Sequence, residues 1–95
     1  MASAIKVDYD RMDEAASEML AQWDLMVDSI DRITNVVRRI PEFWEADTAV
    51  TYVMQYDDLK PGLDRAAQLI QDIAEQMKQI ASNFQETDAD MAGQM

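Results

Sequence analysis

Apolar residues recur at alternating steps of three and four on both sides of one short stretch, Pro41 to Asp47. That spacing keeps one face of a helix apolar, and it conflicts with the period of two that a strand requires. The first run reads Met12, Ala16, Met19, Trp23, Met26, Ile30, Ile33, Val37, Ile40. The second reads Ala49, Tyr52, Tyr56, Leu59, Leu63, Ala66, Ile70, Ile73, Met77, Ile80, Phe84. A heptad pattern sustained this long predicts two long helices, each with one apolar seam. A short connection makes such helices antiparallel neighbours. The expected fold is all-α: an antiparallel two-helix hairpin forming a single domain over residues 1–95.

Local signals set the expected boundaries. Asp8 is a good N-cap, with Val7 and Met12 at the two positions of a hydrophobic staple. Pro41 cannot donate its backbone hydrogen and disfavours helix in the residue before it. Helix 1 is therefore expected over about 8–39, with Arg38 and Arg39 in its last turn, where cations suit the dipole. The turn takes about 40–47, and Asp47 is the expected cap of helix 2 over about 48–85. Pro61-Gly62 interrupts that helix. The seam passes from Leu59 to Leu63 in phase, which favours one kinked helix over a break into two. Residues 86–95 read as a frayed extension or a flexible tail.

A lone pair of helices buries little surface for a small domain. Leu20, Val27, Val36 and Leu69 also widen the apolar stripe beyond what one neighbour covers. The hairpin is thus expected to dimerise into a four-helix bundle, as a homodimer by default. A heterodimer with a related helical protein is the competing arrangement. Met12, Met19 and Met26 form one column of the seam. They read as adaptable core filling or as a forgiving partner surface. Trp23 reads as a packed anchor.

Little in the chain speaks for catalysis. It has no histidine and no cysteine, so the commonest general base, the commonest metal ligand and thiolate sites are missing. Asp57-Asp58 and Asp88-x-Asp90 resemble carboxylate pairs, yet neither lies in a glycine-turned calcium loop. They read as solvated faces of an acidic chain. Ser3, Ser17, Ser29 and Ser82 have no histidine to activate them. No catalytic residue, metal or cofactor is expected. The net charge of −11 repels phosphate backbones, excluding nucleic acid as a natural partner, and disfavours anionic lipid. No apolar run reaches the ~18 residues of a membrane span, and Met1 to Asp10 lacks a signal-peptide core. Absence of cysteine fits synthesis in the cytoplasm and is compatible with export.

The turn carries Trp44-Glu45-Ala46-Asp47-Thr48, with an aromatic, Tyr52, eight residues after the tryptophan. Set between two heptad helices, it resembles the Trp-Xaa-Gly (WXG) family of early-secreted-antigenic-target-like proteins of Gram-positive bacteria. Tyr56-Asp57-Asp58-Leu59-Lys60-Pro61 and Glu86-Thr87-Asp88-Ala89-Asp90-Met91-Ala92 are similar to Firmicutes members, so the resemblance covers essentially the whole chain. It departs at Ala46, where the family has glycine, and at Thr48, where it has a small residue. Glycine commonly serves a turn with positive φ or a close backbone approach. Alanine there implies a right-handed or altered turn.

The resemblance implies a virulence-associated, non-enzymatic substrate of type VII secretion. Such a chain is made in the cytoplasm and exported folded, without a cleaved signal peptide, by a membrane-bound secretion ATPase. Two other roles are compatible with it. One is a targeting adaptor for the helical N-terminal region of a larger toxin. The other, a membrane-active effector, is opposed by the acidic surface. The family's aromatic-x-x-x-acid export signal maps onto Phe84 and Asp88. Tyr9/Asp13 and Phe43/Asp47 share that spacing, and only position after the second helix singles out the former pair.

Overall fold

In the computed structural model, the backbone is described for residues 6–93 and the side chains for residues 6–87. Two helices make up the fold: α1, Tyr9–Phe43, and α2, Asp47–Gly93. They run antiparallel as a rod with principal extents of 74 × 29 × 13 Å. Asp8 caps α1 as its sequence suggests, its carboxylate accepting from the Arg11 N–H at 3.2 Å.

The connection differs from expectation. Helix α1 does not stop before Pro41; it carries the proline in its last turn and ends at Phe43. The proline costs the helix one internal hydrogen bond, and only Glu42 and Phe43 follow it, so little helix remains for a kink to displace. The turn after it still closes, with Trp44 N–H donating to the Ile40 carbonyl at 3.0 Å. Arg38 and Arg39 therefore lie one turn before the end. Asp47 is not the cap of α2 but its first residue. The Ala46 carbonyl accepts the first helical bond, from Val50 N–H at 3.2 Å, which puts Ala46 at the N-cap. Asp47 instead sets its charge at the positive end of the helix dipole. Helix α2 runs unbroken through Pro61. The proline ring faces solvent, while Tyr56 and Leu63 on either side of it turn toward α1. Helix also continues past residue 85, to Gly93.

The hairpin core follows a different line from the expected seam. Residues covered on α1 include Ala16, Trp23, Ile30 and Val37 in one column and Leu20, Val27 and Thr34 in the other. On α2 one column is Ala49, Tyr56, Leu63, Ile70, Met77 and Phe84, as anticipated. The second is Val53, Lys60, Ala67, Ala74 and Ala81, one residue later than the Tyr52, Leu59, Ala66, Ile73, Ile80 column of the predicted seam. Ala16 and Ala74 are fully buried. Alanine at these positions lets two backbones approach closely. The bulk that a wider interface would hold sits one column out.

Candidate functional site

The shifted seam gives the hairpin two unlike flanks. One is polar. Arg38 Nη1 donates to Asp57 Oδ1 at 2.7 Å, and Lys78 Nζ bridges Ser17 and Asp13, the latter at 3.0 Å. Asp31 and Asp64 border the same side of the interior, beside Val27 and Ala67. Lys60 enters the interior column, the one cation there among the described residues. Its ammonium is bonded to Asp64 at 2.7 Å, a hydrogen bond that holds it above the ordinary lysine value. Above it, Tyr56 donates to Thr34, whose hydroxyl in turn donates to the Ile30 carbonyl at 2.7 Å. Polar atoms taken from water on this side thus find partners.

The opposite flank is apolar. It carries the α1 column Met12, Met19, Met26, Ile33 and Ile40, and the α2 column Tyr52, Leu59, Ala66, Ile73 and Ile80. Met19, Trp23, Met26, Ile70 and Ile73 line a shared groove of about 630 Å³. Leu59 and Ile33 are 55 % and 50 % exposed, and Val36, Leu69, Ile73 and Ile80 are exposed with them. Continuous exposed apolar surface of this kind marks an interaction site. The residues predicted as one hairpin and dimer seam are therefore divided. Trp23, Ile30, Tyr56, Leu63, Ile70 and Met77 lie at the helix–helix contact. Met12, Met19 and Met26 are half-covered at its edge, and Ile33, Leu59, Ile73 and Ile80 face outward.

At the turn, Trp44 is 39 % exposed and packs against Tyr52, with ring centroids 5.9 Å apart and planes tilted by 44°. No residue there needs the family glycine for its backbone, since positive φ is absent among the described residues. Ala46 therefore stands in the glycine's place without a left-handed backbone. Phe84 is half-buried near the far end of α2. The side chain of Asp88, the other half of the candidate export signal, lies outside the described residues. Within one hairpin Trp44 and Phe84 are not brought together, since about 55 Å of helix separates them.

Among the described residues no group of carboxylates is placed to hold a metal ion, and no helix is long and apolar enough to cross a membrane.

The fold and its flank define a helical-hairpin protein with an unpartnered apolar stripe. The family model described as proteins of 100 residues with WXG matches residues 4–89, and the chain belongs to this WXG100 family. It is a family of small, non-enzymatic secreted proteins, substrates of type VII secretion. The chain is 26% identical over 95 residues to Protein YukE of Bacillus subtilis, covering all of this chain and 98% of that one. It is 28% identical over 91 residues to ESAT-6-like protein SAG1039 of Streptococcus agalactiae, covering 96% and 95% of the two chains. The structure superposes on EsxA of Geobacillus thermodenitrificans with a TM-score of 0.85 at 21% identity, over 97% of this chain and 99% of that one. That likeness speaks for the two-helix fold.

Proposed function

We propose that this chain is a type VII secretion substrate that leaves the cell as a folded homodimer, two hairpins joined into a four-helix bundle. The observation that carries the reading is the Met19–Met26–Ile73 flank, apolar along the rod while the opposite flank is paired and polar. A second copy laid flank to flank covers Ile33, Leu59, Ile73 and Ile80 at once, and closed two-fold pairing is the commonest solution for one chain. The methionine column suits such a surface because its side chains adapt to the facing copy.

In an antiparallel pair the turn of one hairpin lies beside the tail of its partner. Trp44 of one protomer and Phe84 with Asp88 of the other then form a composite export signal for the membrane-bound secretion ATPase. Sedimentation velocity on the full chain, with secretion assayed in cells with and without that ATPase, tests the proposal. It predicts a species of twice 10.9 kDa and export that needs the ATPase. A well-folded monomer at micromolar concentration overturns the homodimer. Recovery from native cells of a stoichiometric larger polypeptide replaces it with the adaptor role.

A further inference from the structure

A second apolar surface lies at the turn, and it extends from the edge of that flank to side chains that a partner hairpin leaves open. Phe43, Val50 and Met54 are 71 %, 59 % and 62 % exposed. Val50 and Met54 form one wall of a groove of about 540 Å³, and Pro41 and Trp44 form another. Its size falls in the range of ~300–1,000 Å³ typical of ligand clefts. Val50 shares its helical column with Asp57, Asp64 and Lys78, the residues of the polar flank. Packing on the Met26–Ile73 flank therefore leaves Val50 and Met54 in water.

Charge decides what fits. Glu45 and Asp47 line the groove, and neither is in an ion pair among the described residues. Of the two arginines before the turn, Arg38 is bound to Asp57 and Arg39 donates to the Asn35 carbonyl. An anionic lipid meets like charge here. A second copy of the turn brings the same acids. We propose that this groove docks a short amphipathic helix from another protein, with large apolar residues on one face and lysine or arginine beside them. The apolar residues seat between Trp44 and Met54, in the helix-in-groove mode, and the cations meet Glu45 and Asp47. Its test reads Val50, Met54, Glu45 and Asp47, none of which the export reading uses.

The probes are two synthetic helical peptides with the same leucine face, one flanked by lysines and the other by glutamates. Amide NMR of the full-length chain locates where each binds. The lysine peptide is expected to shift the amides around Val50 and Met54, and the glutamate peptide to leave them unmoved. Val50→Gln with Met54→Gln is expected to weaken the lysine peptide about tenfold or more. Both side chains are exposed, so the melting temperature stays that of the wild type. Glu45→Gln with Asp47→Asn is expected to weaken it too and to flatten its salt dependence. Shifts scattered over the acidic surface or centred on Met26 and Ile73 overturn the proposal. So do equal binding of the two peptides and an unchanged affinity in the Val50/Met54 variant. Anionic phosphatidylglycerol vesicles moving the same amides overturn it in favour of a lipid.

Discussion

Tyr56 reaches across the hairpin to Thr34, and the two hydroxyls share a hydrogen bond among the apolar layers that join α1 to α2. Thr34 passes the bond on to the Ile30 carbonyl, so the pair links side chain to backbone. Tyr56→Phe keeps the ring and removes one donor. It leaves Thr34 able to donate to Ile30. The expected loss is about 0.5–1.5 kcal/mol, the net worth of an ordinary hydrogen bond, read by urea unfolding. Thr34→Val should cost more, because Tyr56 then keeps only a distant contact of 3.5 Å to the Ile30 carbonyl.

The alanine column of α2 sets how closely the helices pack. Ala74 is fully buried, so Ala74→Leu must push the backbones apart or force a strained rotamer. The expected cost is about 1–3 kcal/mol. Ala66→Leu, one column out and exposed, is the control and should be tolerated in the hairpin. Thermal melts of the two variants give opposite results if the inner column is the alanine one. Equal melts would return the contact to the predicted seam.

The same contrast shows what the sequence could and could not tell. Spacing by three and four identified two helices and one of the two inner columns on each, with Trp23, Ile30, Tyr56 and Ile70 among them. It left open which neighbouring column completes the interior, because both repeat every seven residues. Bulk favoured Met19, Met26, Leu59 and Ile73. Burial instead selected small residues, Ala67, Ala74 and Ala81, whose value lies in close approach and is invisible to a hydrophobicity pattern. Pro41 misled for a related reason. Its rule counts a missing donor and not how few bonds remain to be made in a last turn. The acids beside the Val50–Met54 groove were visible in the sequence, but nothing in it placed them around one surface.

Charge on the apolar flank should separate assembly from folding. Ile73→Glu puts a carboxylate where two hairpins would meet, yet the side chain is 43 % exposed in the single hairpin. The expected result is a helical monomer by sedimentation, with the circular dichroism of the wild type. A variant that stays dimeric would move the interface off this flank.

Lys60 gives the fold a dependence on alkaline pH. Its hydrogen bond to Asp64 raises the pKa in the folded chain, burial opposes this, and the charges of Asp64, Tyr56 and Asp31 reinforce it. A raised lysine contributes stability that is whole below its unfolded value, about 10.4, and is lost as pH rises through the folded one. The stability difference between wild type and Lys60→Met should therefore stay flat from neutral pH to about 10 and shift against the wild type beyond it. Denaturant titrations at a series of pH values check this. A difference that changes between pH 6 and 8 would assign the effect to another group.

Phe84 and Asp88 carry the export hypothesis, and they separate by how each acts. Phe84 is half-buried on the column that also holds Met77 and Ile70, so Phe84→Ala removes packing whatever else it does. Loss of a partly buried aromatic should cost about 1–3 kcal/mol, less than the full ~3–5 of a core position. Asp88→Ala tests the signal by removing a single charge. Secretion and melting temperature are measured together for both. If the pair is a signal, Asp88→Ala blocks export while melting stays within a degree or two of wild type, and Phe84→Ala loses more export than its stability explains. Wild-type export of Asp88→Ala would remove the acid from the signal. Export of Phe84→Ala that falls only in step with its melting temperature would make the phenylalanine a packing residue at the end of the hairpin.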